Sequence, residues 1–281
     1  MIFYLETNAL YSIEKILKGY NNKCFTSIFA LFELVSGIKT ENFDIRKKIL
    51  NKVMSSNFAI DWEMPEKILF DSFEAANEFK YKEERIAPLK ELIKAILCTN
   101  SFKDFSNSEQ FNSLNYSFEY FKNLDFFWNK GFVDATIIGN KRIKKELQDN
   151  DKAVILNGKA CKLKKNKDLV NLFAYEPKLS HSVSILAFCG ILKNRGINKS
   201  EKEIYESYNG LIHNYILGLS DYCDNKLIMH AESAMNDFQD LMHLIYLRNF
   251  NDITIVSDDI IFGKYFKGNS ISIDKLLEIS S

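Results

Sequence analysis

Two short apolar runs, one towards each end of the chain, constrain the fold more than any other feature of the sequence. The runs are Ile2–Leu5 and Ile253–Val256, and both stop at polar or acidic side chains. Continuous apolar runs of this length are typical of strands that are buried on both faces, as they are in a parallel sheet. A stretch with helical spacing adjoins each run, so strands and helices are expected to alternate at both ends.

Helix signals follow the first run. Helical spacing predicts a helix over residues 9–17. Thr26 or Ser27 can cap a second helix, whose expected end is at Gly37. Residues 58–62, which spell FAIDW, are then a predicted strand.

The last part of the chain repeats this alternation. A helix is predicted over residues 232–247, directly before the second apolar run. Because parallel strands need crossover connections, the pattern predicts an α/β fold whose central parallel sheet is closed by sequence-distant pieces. Residues 1–80 and 222–281 form this predicted core, and residues 81–221 are predicted to be a large all-helical insertion.

Composition limits the classes of function. Lys and Arg together number 37, and so do Asp and Glu, so nucleic-acid binding would have to depend on local patches. The chain has neither a Gly-rich phosphate loop nor the paired His spacing of a zinc hydrolase, which disfavours both classes. Five scattered cysteines without a CxxC spacing indicate thiols in a reducing compartment, so we expect a cytoplasmic protein with no membrane segment.

Isolated acids in apolar surroundings are the first functional signal. Glu6 is the only charged residue in residues 1–13, and Glu33 is the only one in residues 24–38. Burying an ionised carboxylate is unfavourable unless a cation or hydrogen bonds offset its desolvation. Taken alone, each acid is explained as well by a helix cap or an ion pair.

Two acidic pairs near the other end of the chain add to this signal. Asp237 and Asp240 are three residues apart and share one face of the predicted helix. Asp258 and Asp259 directly follow the second apolar run. Singly, these pairs are explained by a helix start and a solvated turn. Because parallel sheets gather ligands at the carboxyl ends of their strands, the four places together predict one acidic cleft.

The segments that carry these acids resemble the PIN domain, a family of metal-dependent nucleases. The resemblance lies in YLETN at 4–8, FTSIFALFELVSGI at 25–38 and NDFQDLMHLIYLRNFNDITIVSDDIIF at 236–262. The third segment is the most specific, because a helical Asp is followed by an apolar strand and then by Ser-Asp-Asp. The resemblance implies a three-layer core with helices on both faces of the parallel sheet.

The resemblance also implies a set of site residues. The expected catalytic acids are Glu6, Glu33, Asp240 and Asp259, with Asp258 as the alternative to Asp259 and Asp237 as a further ligand. These acids would hold one or two Mg²⁺ or Mn²⁺ ions, which activate a water and stabilise charge in the transition state. The sequence departs from the family at its first acid, where most members have Asp.

Polar neighbours of the acids have two explanations each. Thr7, Asn8 and Ser257 could orient the ligands or the scissile phosphate, and capping or turn hydrogen bonds explain them equally well. His243 lies one turn from Asp240 and could face the cleft, but a core or surface histidine is its expected role.

The middle of the chain contains two candidate nucleic-acid contacts. Lys141, Arg142, Lys162, Lys164 and Lys165 belong to a basic stretch that could hold a phosphate backbone, although a solvated helix face explains it almost as well. The aromatic cluster within residues 118–128 could stack on bases and is more typical of a helical core.

The resemblance therefore implies an endoribonuclease that hydrolyses phosphodiester bonds of single-stranded RNA, with DNA as the alternative substrate. An inhibitor or regulatory protein and a second copy of the chain are further expected partners. Two other hypotheses stay open. One is a PIN-like module without catalysis that binds protein or RNA, and the other is a helical protein whose acids are purely structural.

Overall fold

The computed structural model of the chain describes residues 1–77, 79, 84–109, 111–112, 153–156, 159–162, 177–225, 231–266 and 269–280. Its strands, in chain order, are β1 (Ile2–Leu5), β2 (Cys24–Ser27), β3 (Ala59–Asp61), β4 (Ala153–Leu156), β5 (Lys159–Lys162), β6 (Ile253–Val256) and β7 (Ser270–Ile271). Five of them form one sheet in the order β3-β2-β1-β6-β7, and every neighbouring pair in this sheet is parallel.

Helices flank this sheet. They are α1 (Thr7–Leu10), α2 (Ile13–Tyr20), α3 (Ile28–Ser36), α4 (Phe43–Ser55), α5 (Pro65–Asp71), α6 (Ile86–Cys98), α7 (Phe102–Ser106), α8 (Pro177–Asn194), α9 (Glu201–Glu206), α10 (His213–Asn225), α11 (Ala231–Leu241), α12 (Ile260–Tyr265) and α13 (Ile273–Ser280). Short 3₁₀ helices span Asn21–Lys23, Thr40–Asn42, Glu74–Ala76 and Met242–Leu247. In the part of the chain that the structure describes, no helix is both long enough and apolar enough to cross a membrane.

The two ends of the chain meet in the middle of the sheet. β1 pairs with β6 along its whole length, from Ile2 opposite Ile253 to Leu5 opposite Val256. Tyr4, Leu5 and Val256 are fully buried, as expected for strands that are covered on both faces. The predicted α/β class, with a parallel sheet closed by sequence-distant pieces, is confirmed.

The strand order reverses its direction at β1. The chain builds outward on one side through β2 and β3, and then returns to build β6 and β7 on the other side. In open α/β sheets, ligands bind outside the carboxyl ends of the strands at such a reversal. The sheet therefore has one favoured crevice, which is at the carboxyl ends of β1 and β6.

Residues with capping or strand patterns in the sequence predicted several helix and strand boundaries correctly. Ser27 is the N-cap of α3, where its hydroxyl accepts a hydrogen bond from the Ala30 amide at 3.2 Å. Gly37 is the C-cap of the same helix, and β3 lies within the predicted strand at 58–62.

The helix predicted over residues 9–17 is divided into α1 and α2. The break comes at Ser12, whose carbonyl accepts hydrogen bonds from the amides of Lys15 and Ile16 at 3.0 and 3.1 Å and so starts α2. Serine competes well for such positions at helix starts, and apolar periodicity does not reveal the competition.

The helix predicted over residues 232–247 also changes form. It is α-helical to Leu241 and then continues as the 3₁₀ helix Met242–Leu247, in which every residue is buried. In a 3₁₀ helix the side chains at positions i and i+3 eclipse each other. This change decides which side chains reach the sheet edge, as described below.

The stretch predicted to be all helical contains strands as well. β4 and β5 form an antiparallel pair within residues 153–162, which departs from the prediction. Buried side chains of α6, α8 and α10 belong to the same hydrophobic cluster as those of β1 and β6. The division of the chain at residues 80 and 222 stays a prediction.

The buried strand β6 generates a test of the fold. Ile255 is fully buried in β6, so Ile255→Ala should lower the free energy of unfolding by about 2–5 kcal/mol, through lost burial and a residual cavity. The same substitution at Ile45 of α4, whose side chain is 55% exposed, should change it by less than about 0.5 kcal/mol. Urea denaturation of both variants measures the difference, and equal losses would contradict the proposed place of β6 in the core.

Candidate functional site

The acids predicted from the sequence reach the carboxyl edge of the sheet at the strand-order reversal. Glu6 follows β1, and Asp258 and Asp259 follow β6. Glu33 comes from α3 and Asp240 from α11. The charges of Asp259, Glu33 and Glu6 all act on the carboxyl group of Asp240, so four distant parts of the chain are close together here.

Glu6 is almost completely buried and serves as the N-cap of α1. Its side chain is 3% exposed and accepts hydrogen bonds from the amides of Asn8 at 2.8 Å and Ala9 at 3.3 Å. Burial raises the pKa of Glu6, while the charge of His243 and hydrogen bonds from the Asn8 amide and the Ser257 hydroxyl act in the opposite direction. Asn8 contributes its main-chain amide to this cap.

Glu33 is the most fully bound acid of the group. It accepts hydrogen bonds from the Thr7 hydroxyl, from Gln239 Nε2 at 3.2 Å and from His243 Nε2 at 2.9 Å. Burial by itself raises the pKa of this carboxyl, but the charge and hydrogen bond of His243, with those from Thr7 and Gln239, outweigh it and leave the pKa lowered. Glu33 is therefore held ionised inside the protein.

His243 joins Glu33 to the interior of the sheet. Its side chain is 2% exposed, and its Nδ1 lies 2.7 Å from the Tyr4 hydroxyl, which in turn lies 2.8 Å from Ser27 Oγ. Burial lowers the pKa of His243, but the Glu33 carboxylate more than offsets this, so the pKa is raised. An imidazolium at this position carries the positive charge that compensates the buried acid.

The 3₁₀ geometry explains how His243 reaches this position. His243 and Tyr246 are three residues apart in the 3₁₀ helix, so their rings project in the same direction. Both lie against Tyr4, with ring centroids 5.8 and 5.7 Å from it. Phe29 closes the other side of the imidazole at 4.9 Å in an edge-to-face arrangement.

Asp240 has the most perturbed acid chemistry at the edge. Burial raises its pKa to about 7 from an ordinary value of 3.8, and the nearby charge of Asp259 adds to the shift. The charge of His243 opposes the shift, but His243 is bound directly to Glu33. Asp240 and Asp259 thus form a repelling pair, in contrast to the compensated Glu33.

The two consecutive acids after β6 have different surroundings. Asp259 is the N-cap of α12 and accepts a hydrogen bond from the Ile261 amide at 3.1 Å, while its own amide donates to Ser257 Oγ at 2.9 Å. Asp258 is exposed, and its side chain accepts a hydrogen bond from the Ile273 amide at 2.9 Å. The charge of Asp259 acts on Asp240, and the choice between Asp258 and Asp259 as the fourth acid stays a prediction.

Other predicted residues lie further out or outside the described ranges. Asp237 accepts a hydrogen bond from the Tyr222 hydroxyl at 2.6 Å, which links α11 to α10. Lys162 is described only as the last residue of β5. The predicted contacts Lys141, Arg142, Lys164 and Lys165 and the aromatic cluster at 118–128 lie outside the described residues.

The donor chemistry of the edge suits a hard divalent cation. Mg²⁺ and Mn²⁺ prefer oxygen ligands, and ionised carboxylates have about four acceptor positions each, so the hydrogen bonds to Glu6 and Glu33 leave capacity. A cation would also relieve the repulsion between Asp240 and Asp259. Among the residues that the structure describes, no group of three or more His, Cys, Asp and Glu side chains is arranged closely enough to hold a metal ion.

The sequence interpretation missed three residues of this site. Tyr4, Gln239 and His243 were not expected to contribute, yet all of them contact Glu33 directly or through one neighbour. The available signal was the position of His243, the only ionisable polar residue in the otherwise apolar run from Leu241 to Ile245 and one turn from Asp240. Its partner Tyr4 is 239 residues away in the chain, which no local pattern connects.

Comparisons of the chain with models of protein families, with curated proteins and with solved structures find no match.

The perturbed Asp240 predicts an unusual pH dependence of stability. Its pKa is raised on folding, so the folded state is penalised as pH rises from about 4 to about 7, where Asp240 must ionise. Asp240→Asn removes that penalty and, in EDTA, should raise the free energy of unfolding at pH 8 by on the order of 1–4 kcal/mol. The gain should vanish near pH 4, and thermal unfolding across this range measures it.

Asp258→Asn is the matched control for this prediction. It removes the same charge from an exposed side chain, and asparagine can still accept the hydrogen bond from the Ile273 amide. Its effect should stay within about 0.5 kcal/mol at every pH. A gain for Asp240→Asn that is the same at pH 4 and pH 8 would show that Asp240 is not a strained buried acid.

Proposed function

We propose that this chain is a metal-dependent endonuclease of the PIN-domain type, which hydrolyses phosphodiester bonds in single-stranded RNA. The observation that carries the proposal is the placement of acids after β1 and β6 and on α3 and α11, where the strand order of an all-parallel sheet reverses and their charges act on Asp240. A three-layer, PIN-like core is part of the same proposal. The resemblance of the segments at 4–8, 25–38 and 236–262 to the PIN domain supports it independently of the fold.

Four acids would hold the metal once their side chains move closer together than they lie in this structure. Glu6, Glu33, Asp240 and Asp259 would be ligands of one or two Mg²⁺ or Mn²⁺ ions, and Asp237 would lie one helical turn further out. When bound, the metal supplies an activated water as the nucleophile and positive charge for the transition state at the scissile phosphate.

The protein's own side chains fix the ligand positions. Thr7, Gln239 and His243 hold both oxygens of Glu33 and keep it ionised. Ser257 binds the main chain of Asp259 and the side chain of Glu6, so one hydroxyl connects the acids that follow β1 and β6. Such outer contacts orient ligands and reduce the reorganisation that metal binding and catalysis require.

The choice of substrate and partners depends on the resemblance. RNA is proposed rather than DNA because single-stranded RNA is the common substrate in that family. An inhibitor or regulatory protein and pairing with a second copy of the chain stay predictions on the same ground.

One observation favours a second candidate function, a PIN-like module that binds RNA or protein without cleaving it. When protonated, His243 supplies a positive partner to Glu33 at 2.9 Å. If this pair is permanent, Glu33 has its counter-ion inside the protein and a metal is not needed to balance it. Divalent-metal binding separates the two candidates, because a binding module does not require it.

Cleavage of labelled single-stranded RNA tests the proposed activity. The wild type should cut RNA in Mg²⁺ or Mn²⁺ and stop in EDTA. Asp240→Asn and Asp259→Asn should each lose more than roughly 100-fold in rate, since losing even a group that orients a metal ligand costs about 10- to 100-fold. A parallel reaction with single-stranded DNA of the same sequence measures the preference between the two substrates.

Asp258→Asn again provides the matched control, because it removes the neighbouring charge without changing the Asp240–Asp259 pair. It should cut RNA at close to the wild-type rate. Titration calorimetry with Mn²⁺ should show binding to the wild type and much weaker binding to Asp240→Asn. RNA binding without metal binding or cleavage would instead support the non-catalytic module.

A further inference from the structure

A groove lies between the start of α2 and the exposed face of α4. Its volume is about 300 Å³. Tyr11 and Lys15 line one side, and Ile45, Lys48 and Lys52 line the other. The three residues of α4 fall on one face because their spacing is three and then four positions, which matches the helical repeat.

Positive charge dominates the lining of this groove. Lys15, Lys48 and Lys52 stand there with one carboxylate, that of Glu14. Lys48 Nζ lies 3.3 Å from Glu14 Oε1, but both side chains are largely exposed, so solvent screens their attraction. The chain as a whole has no net charge, and this local excess of lysine is therefore the kind of patch that phosphate binding requires.

Exposed apolar side chains accompany the lysines. Tyr11 is 45% exposed and Ile45 is 55% exposed, although most large hydrophobic side chains of this protein are buried. Binding sites for single-stranded nucleic acid combine lysines that follow the backbone with aromatic rings on which bases stack. Both components are present here, because Tyr11 lies on one wall of the groove and lysines line both walls.

A short helix connects the groove to the acidic edge. Glu6 is the N-cap of α1 and Tyr11 is its C-cap. At about 1.5 Å per residue, the two caps are separated by roughly 7 Å along the helix axis. Since Tyr11 also lines the groove, this helix joins the groove to the acid that follows β1.

We propose that this groove binds the part of a single-stranded nucleic acid that flanks the cleavage site. Lys15, Lys48 and Lys52 contact its phosphates, and the ring of Tyr11 stacks on one base. The proposal rests on the nuclease function proposed above and adds the surface that positions the substrate.

The dimensions favour a nucleotide over a protein segment. A volume of about 300 Å³ is at the lower limit of small-ligand pockets. A partner helix, about 10–12 Å across, would need a longer and more apolar groove. The three lysines also attract negatively charged phosphates more strongly than they would attract a protein surface of mixed charge.

Binding of a fluorescein-labelled single-stranded RNA of about 10 nucleotides, followed by anisotropy in EDTA, tests the proposal without any cleavage. Tyr11→Ala should weaken binding by about tenfold or more, while Tyr11→Phe, which keeps a stacking ring, should bind like the wild type. Lys15→Ala/Lys52→Ala should weaken binding and reduce the slope of log affinity against log salt by about 1.4.

Two controls separate a site from general electrostatics. Lys193→Ala/Lys199→Ala removes the same number of charges from exposed lysines that do not line the groove, and should leave affinity nearly unchanged. Glu14→Gln removes the competing carboxylate and should strengthen binding several-fold. Misfolding would not increase affinity, so a gain for this variant cannot be an artefact of a damaged protein.

The outcomes distinguish this inference from the proposed function. If the wild type cuts RNA but all groove variants bind RNA as tightly as the wild type does, the proposed role of the groove is contradicted and the nuclease proposal stands. If the groove variants change RNA binding as expected but no metal-dependent cutting occurs, the groove is supported and the nuclease proposal fails. Equal losses from the groove lysines and the control lysines would also overturn a localised site.

Discussion

Parallel pairing of β1 with β6 is the constraint on which the rest of the structure depends. The two strands come from opposite ends of the chain and are in register from Ile2 opposite Ile253 to Leu5 opposite Val256. Without this pairing, the acids that follow the two strands would have no common edge. The pairing also makes β1 the point where strand order reverses, which is where parallel sheets leave a crevice. The pairing of β1 with β6 therefore determines both the centre of the sheet and the position of the site.

Burying several ionised acids near one another is unfavourable because of desolvation and mutual repulsion. Other groups of the protein offset this unfavourable energy only in part. At Glu33 the cost is offset by His243 and two further hydrogen-bond donors, and the pKa of that carboxyl stays low. Between Asp240 and Asp259 it is not offset, and burial with like-charge repulsion raises the pKa of Asp240 to about 7. The unbalanced negative charge of the edge therefore lies between α11 and the start of α12, not at α3.

Sequence patterns predicted those parts of the fold that depend on local or two-sided burial. Ile2–Leu5 and Ile253–Val256 were identifiable as strands because they carry no charge and only Thr254 among them is not hydrophobic, and Ser27 and Gly37 marked the ends of α3 through capping chemistry. The different surroundings of Asp258 and Asp259 were not accessible from the sequence, because they depend on where the Ile273 amide lies after folding. The 3₁₀ form of 242–247 was hidden for another reason. When every residue of a segment is buried, apolar periodicity no longer distinguishes one helical repeat from another.

That 3₁₀ segment connects the site to the edge strand β3. It ends at Arg248, whose φ of 50° lies in the left-handed region and costs on the order of 1–3 kcal/mol for a residue that is not glycine. The strain is offset because the Arg248 guanidinium binds both Asp61 and Glu63 at the carboxyl end of β3. Burial and these paired charges hold the segment in place from its end, so His243 and Tyr246 can lie eclipsed against Tyr4. The segment that carries His243 thus contacts the acidic edge through Glu33 and the end of β3 through Arg248.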